Sequence, residues 1–297
     1  MRAGCYVAII AGGFLLRKKQ FLPKETFGVL SKIVVNITLP AAVIASTAGK
    51  PIDTSMLSIS AMGIGAGIAY MLLALLLNCK KSREERAFAV LNTPGYNIGN
   101  FAMPFTQSFL GPMGVVATSL FDVGNSFISL GGALGGASAV KDGKGFRWKQ
   151  ILCAPLRTAS FPVYVIMAVL NLLSLTPPEP IVELAGIVGS ANPFLGMLMV
   201  GVGFRLSGDR RQLGTVARVL GLRFGLAAIL AAVSWFVLPF PLEVRQALVL
   251  LVFSPLASAV PAFTDRLGGD AGLSSAINSF SILISIVCMV TLLMLIL

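Results

Sequence analysis

The chain has 297 residues, of which 56% are hydrophobic and 12% charged, with a formal net charge of +11. A soluble domain of this length needs far more polar surface to cover its core, so the composition excludes an ordinary water-soluble protein. The basic excess does not mark a nucleic-acid binder, because the basic residues sit in short clusters between apolar runs and form neither a continuous face nor an aromatic platform.

Ten apolar segments can be drawn in chain order, at 1–16, 27–47, 55–78, 85–109, 113–138, 158–175, 181–204, 216–238, 244–264 and 271–297. They predict an all-α polytopic membrane protein with ten transmembrane helices. The first segment is short, about 24 Å of helix against a hydrocarbon core of about 30 Å. It is read as a span and not as a signal peptide, because its stronger basic cluster, Arg17, Lys18 and Lys19, follows the apolar run instead of preceding it.

Charge alternates along the connections. The first loop carries Arg17, Lys18, Lys19 and Lys24, the third Lys80, Lys81, Arg83 and Arg86, the fifth Lys141, Lys144, Arg147, Lys149 and Arg157, and the seventh Arg205, Arg210, Arg211 and Arg218. The second has only Lys50 and Asp53, the fourth, around Gly111 and Pro112, has no charge, the sixth is acidic, and the eighth holds Glu243 and Arg245. The ninth, with Asp265, Arg266 and Asp270, is nearly balanced. The positive-inside rule then places the odd loops in the cytoplasm and both termini outside a cytoplasmic membrane.

Two halves resemble each other, 1–140 and 150–297, within one integral membrane domain. Around segment four the chain reads PFTQSFLGPMG from Pro104, and around segment nine PAFTDRLGGDAG from Pro261. Segments two and seven each place an asparagine before a mid-span proline, Asn36 with Pro40 and Asn192 with Pro193. Five spans per half make the halves insert in opposite senses, a 5+5 inverted repeat of the kind secondary transporters use for alternating access.

The predicted site follows from backbone chemistry. Segment four contains Asn92-Thr93-Pro94-Gly95-Tyr96-Asn97-Ile98-Gly99-Asn100 and then Pro104. Prolines remove hydrogen bonds and glycines loosen the backbone, so the helix is expected to break here. A break at membrane depth is tolerated only where it faces protein or a wet cavity, and the next half-helix offers N–H groups to an anion. Segment nine offers a less polar counterpart at Ser254-Pro255-Leu256-Ala257-Ser258-Ala259-Val260-Pro261. The candidate substrate-binding residues are therefore Asn97, Gly99, Asn100, Pro104, Asn36, Ser254, Pro255, Ser258 and Pro261.

Asp122 in segment five is an intramembrane carboxylate, functional by default, with Asn125 on the same helical face. Both are assigned to coupling or support. Asp122 is compatible with proton coupling, cation coordination or anchoring of the broken helix. Lys32 and Arg223 each lie about one turn inside a span and read as snorkelling side chains. Asn278, Ser279 and Ser281 are candidates either for lining the cavity or for bonds between helices. The glycines of segments three and five read as close-packing positions.

Four cysteines, Cys5, Cys79, Cys153 and Cys288, form no CxxC pair, and histidine is absent. No metal site, cofactor or His-based catalytic group is therefore expected, and no enzyme activity.

With these motifs in view, the chain resembles the auxin efflux carrier family nearly end to end. The markers are Leu30-Ser31-Lys32 through Asn36-Ile37-Thr38-Leu39-Pro40, the Asn97-Ile98-Gly99-Asn100 to Pro104 stretch, and Phe121-Asp122-Val123-Gly124-Asn125. The resemblance implies a bile acid:sodium symporter-like fold. In it, spans 1, 2, 6 and 7 form a scaffold and spans 3–5 and 8–10 a moving transport unit, in which the breaks of spans four and nine cross. It implies organic anions as substrates, auxin-like compounds or mono- and dicarboxylates, and a homodimer joined through the scaffold. A sodium-coupled symporter of another organic solute is the alternative. The second break has neither asparagine nor acid, which argues against a sodium site of the bile acid type.

Overall fold

The computed structural model describes residues 2–23, 25–143, 148–204 and 212–296, and among these it is helical with no strand. Lys24, Lys144, Arg147, Arg205, Arg210 and Arg211, all counted in the basic loops, lie outside the described residues.

In chain order the helices are α1 (Arg2–Lys18), α2 (Thr26–Thr47), α3 (Thr54–Leu77), α4 (Arg83–Asn92), α5 (98–109) and α6 (Pro112–Asp142). There follow α7 (Trp148–Cys153), α8 (Ser160–Leu172), α9 (Glu179–Gly203), α10 (Leu213–Phe236), α11 (Leu242–Val252), α12 (Val260–Arg266) and α13 (Ala271–Ile296). Six of them, α2, α3, α6, α9, α10 and α13, are long and apolar enough to cross a membrane. The remaining four predicted segments fall on shorter helices: α1, α8, the pair α4 and α5, and the pair α11 and α12.

Local sequence explains several boundaries. Ser82 and Glu85 form a reciprocal capping box that starts α4, each side chain accepting the other residue's backbone N–H at 3.2 Å. Pro112 sits in the first turn of α6, where a missing N–H costs nothing. Wide π-helical turns occupy Val34–Thr38 and Ile98–Ala102, and each lies directly before a proline two residues on, Pro40 and Pro104. Such a turn absorbs the steric clash of the ring with the preceding turn and keeps the helix continuous.

The closest packing falls in two groups, and these also lie against each other. In one, α1 and α2 lie on α9, and α8 lies on α2. In the other, α3, α4 and α11 pack on α6, α10 on α11, and α12 on α13; α2 and α8 lie against α6, and α9 against α5, between the groups. Within each group backbones come unusually close. A Cβ on Gly124 of α6 would lie 1.9 Å from the Ser60 carbonyl oxygen of α3, and one on Gly63 would lie 2.4 Å from that of Phe121. In the first group a Cβ on Gly201 of α9 would lie 2.0 Å from the Ile10 carbonyl oxygen, and Arg17 donates to the carbonyls of Val202 and Phe204 at 2.7 and 3.2 Å. Helices in lipid gain little from apolar burial against each other, so contact at this distance supplies the attraction.

Gly124→Val and Gly201→Val should each push a helix pair apart. A cost of about 1–3 kcal/mol is expected for overpacking, read as a lower melting temperature in detergent, while Gly65→Ala, at a glycine with open space around it, should leave melting unchanged.

Candidate functional site

Two helices stop in mid-course and touch. After Asn92 the chain leaves the helix for residues 93–97, turning at Gly95, whose φ of +80° lies in the left-handed region that glycine adopts at little cost. After Val252 it leaves the helix again and resumes at Val260. Both interruptions coincide with the proline-containing stretches singled out in the sequence. They meet at Asn97, whose backbone N–H donates to the Pro255 carbonyl at 2.9 Å and whose side-chain amide donates to Ser258 Oγ at 3.0 Å.

Unwound backbone inside a membrane must find partners elsewhere. Asn125 supplies them at the first break. Its carbonyl accepts the Tyr96 N–H at 2.9 Å, and its amide donates to the Tyr96 carbonyl at 2.9 Å and to Asp122 Oδ1 at 2.8 Å. Asp122 therefore orients Asn125, which in turn holds the unwound segment. Ser281 of α13 plays the matching part at the second break, accepting the Leu256 N–H at 3.2 Å while donating to the Asn278 carbonyl at 2.7 Å.

Arg223 joins the two. Its guanidinium donates to the Thr93 carbonyl at 2.7 Å and to the Ser254 carbonyl at 2.8 Å, at the buried C-terminal ends of α4 and α11. Its charge lies 5.0 Å from the Tyr96 ring centre and 5.5 Å from that of Tyr70, whose hydroxyl donates to the Arg223 carbonyl at 2.9 Å. The side chain is fully buried. The snorkelling reading of Arg223 is thus corrected: it is the eleventh of 24 residues in α10, and it points into the crossing. Even in the segment drawn from 216, Arg223 lies seven residues, about two turns, inside, so counting it as one turn in understated its depth.

The other predicted residues spread around this centre. On α5, a Cβ on Gly99 would lie 2.8 Å from Leu39 Cδ2, 3.7 Å from Tyr164 Oη and 3.9 Å from Asp122 Oδ2, so Gly99 permits α2 and α8 to approach. Asn100 Oδ1 is buried without a hydrogen-bond partner. Pro104 packs on Gly196 of α9, and Pro261 lies in the first turn of α12. Asn36 stands apart: its side chain is exposed and donates to the Lys32 carbonyl of its own helix at 2.9 Å. Its neighbour Thr38, not singled out in the sequence, enters a buried relay instead. Thr38 donates to Asn192 Oδ1 at 3.1 Å, Asn192 to Gln107 Oε1 at 3.0 Å, and Gln107 to the Gly189 carbonyl at 3.1 Å. The Asn-Pro pattern of segment seven marked Asn192 in advance; nothing in the sequence marked Gln107.

A cavity of about 350 Å³ opens among Glu84, Lys141, Arg218 and Asp270 and reaches Thr93, the first residue of the first break. Among the described residues, no cluster of three His, Cys, Asp or Glu side chains forms that would hold a metal ion.

Membrane-length helices enclosing two interrupted ones, with backbone dipoles turned toward each other at the interruption, are the construction of a membrane transporter. The sequence comparison agrees. Residues 3–134 match the family model described as membrane transport protein, that of the auxin efflux carriers. It is a family of transporters and not of enzymes. No curated protein matches the chain.

Asn125→Ala should strand the Tyr96 N–H, the Tyr96 carbonyl and Asp122 together. At about 1–3 kcal/mol for each buried group left unpaired, its melting temperature should fall far more than that of Asn100→Ala, whose side-chain oxygen bonds nothing.

Proposed function

We propose that this chain is an elevator-type secondary carrier that moves small organic anions, mono- or dicarboxylates or auxin-like acids, across the cytoplasmic membrane. The observation that carries the reading is the bonded crossing itself, Asn97 to Pro255 and Ser258, which joins a break in residues 1–140 to one in 150–297. The crossing sorts helix ends by sign. The C-terminal ends of α4 and α11 are both taken by Arg223. The N-terminal end of α5 receives no side-chain cap from Asn97, whose amide is turned to Ser258. An uncapped helix N-terminus carries about half a positive charge and free N–H groups, which suit a carboxylate.

In this reading Asn97, Gly99 and Asn100 contact the anion with the α5 amides, and Ser254, Pro255, Ser258, Pro104 and Pro261 shape the crossing. Asp122 and Asn125 act from behind. A carboxylate beside an anion would repel it, and the bond from Asn125 to Asp122 gives that carboxylate a separate task.

The packing supports a division of labour. The group of α1, α2, α8 and α9 corresponds to spans 1, 2, 6 and 7 of a ten-span, 5+5 inverted repeat and serves as scaffold, with a homodimer joined through it. The group holding the crossing corresponds to spans 3–5 and 8–10 and moves. The cavity mouth is lined from the basic third, fifth and seventh loops and the balanced ninth, so it opens to the cytoplasm with both termini outside.

Proteoliposomes tested against a panel of small carboxylates, under a pH gradient and under a sodium gradient, should take up at least one of them. Asn97→Ala should lower that uptake by about tenfold or more, the loss of roughly 1.4 kcal/mol of binding, while melting stays near wild type. No uptake of any anion under either gradient would sink the proposal.

A further inference from the structure

A buried arginine without an acid is an expensive object, and its surroundings say what balances it. Among the described residues the only ion pair within 4 Å is Lys81 with Glu85, on the surface, so Arg223 has no carboxylate partner. Its ligands are two backbone carbonyls, Thr93 and Ser254, each just past the C-terminal end of a half-helix. A helix C-terminus carries about half a negative charge. Two of them sum to about one, the charge of one guanidinium. The faces of Tyr70 and Tyr96 complete the shell with ring quadrupoles. Carbonyl oxygens converging from two interrupted helices are also the ligand set with which a hard monovalent cation is held in membrane carriers.

We propose that Arg223 is a tethered cation: it occupies the place between the two half-helix C-termini that a diffusible monovalent cation would otherwise fill, so the crossing is complete without sodium. The structural half of this rests only on the geometry of the crossing. Its consequence, transport that does not depend on sodium, rests on the carrier reading as well.

Geometry favours arginine over lysine here. The planar fork reaches two carbonyls on separate helices at 2.7 and 2.8 Å at once, which a single ammonium does only by moving between them. Removing the side chain leaves the Thr93 and Ser254 carbonyls and the faces of Tyr70 and Tyr96 around the vacated position.

The test is thermal melting of purified protein in detergent, which needs no substrate and is independent of any transport assay. Sodium chloride, choline chloride and guanidinium chloride are compared at equal ionic strength, with the varied cation at about 20 mM, well below denaturing guanidinium. Wild type should melt at the same temperature in all three. Arg223→Ala should melt about 10 °C lower in choline, the loss of two charge-assisted bonds, and should recover at least half of that in sodium or in guanidinium. Arg223→Lys, which keeps the charge, should be indifferent to the salt. Should Arg223→Ala not yield folded protein, Arg223→Gln takes its place, with the same expected recovery. Wild type stabilised by sodium over choline would overturn the proposal. So would an alanine or glutamine variant whose melting ignores both sodium and guanidinium, since Arg223 would then be only a packing element.

Discussion

A polypeptide that unwinds inside a membrane has to pair its own peptide groups, and here one guanidinium does so for both unwound ends at once. Taking a charge out of water costs several kcal/mol even after relaxation. In this crossing the cost is offset by two charge-assisted bonds and two aromatic faces, all converging on Arg223. The same contacts do a second thing. They fasten α10 to the C-terminal ends of both α4 and α11, so the two interrupted helices cannot separate without exposing the charge. The hydroxyl of Tyr70, bonded to the Arg223 carbonyl, extends that fastening to α3.

Around this centre the two breaks are supported in the same way by unequal means. Asn125 on α6 grips both polar groups of Tyr96, while Ser281 on α13 receives only the Leu256 N–H. Both supports come from the helix that follows the broken one, which is what a repeated five-helix plan would produce. The first break is the richer in amides, and it borders the other packing group through Gly99, Leu39 and Tyr164. The second break is less polar and equally buried, with Ser254 and Leu256 as enclosed as Thr93 and Tyr96. A solute recognised by amides and helix N–H groups would therefore meet the first half more than the second.

The fold was largely legible because lipid imposes a simple pattern. Each apolar run drawn from the sequence falls on helix, and the two interruptions lie where proline and glycine remove backbone bonds. Asn97, Ser258, Asn125 and Asp122 were readable for a related reason: polar side chains are rare in such runs and are kept where something must be bonded. What failed was direction around the helix axis. Asn36 and Thr38 are two residues apart on α2, yet Thr38 is buried in a relay and Asn36 is exposed. Asn36 was chosen for its place before Pro40, and two residues turn a helix by about 200°, so its face is opposite to that of Thr38. Arg223 was missed because its depth was counted as one turn, although it lies about two turns inside the drawn segment and nearly three inside α10. Gln107 was invisible because its partners come from α9, more than eighty residues away.

The contact between the two packing groups also uses glycine, at Gly99 against Leu39 and Gly196 against Pro104, but there a side chain meets the glycine instead of another backbone. Inside, glycines let backbones touch, as at Gly124 with Ser60 and Gly201 with Ile10, and such surfaces lock in one register. Between them, the bonded link is the relay from Thr38 through Asn192 to Gln107 and Gly189, a few neutral hydrogen bonds worth about 0.5–1.5 kcal/mol each. In the proposed elevator motion these are the bonds that must open, whereas the guanidinium and the Gly124 contact travel intact within the moving group and the Gly201 contact stays within the scaffold. The strong interactions thus hold the site together, and the weak ones lie where displacement is required. In the proposed motion, that partition would let a broken-helix site change sides without being taken apart.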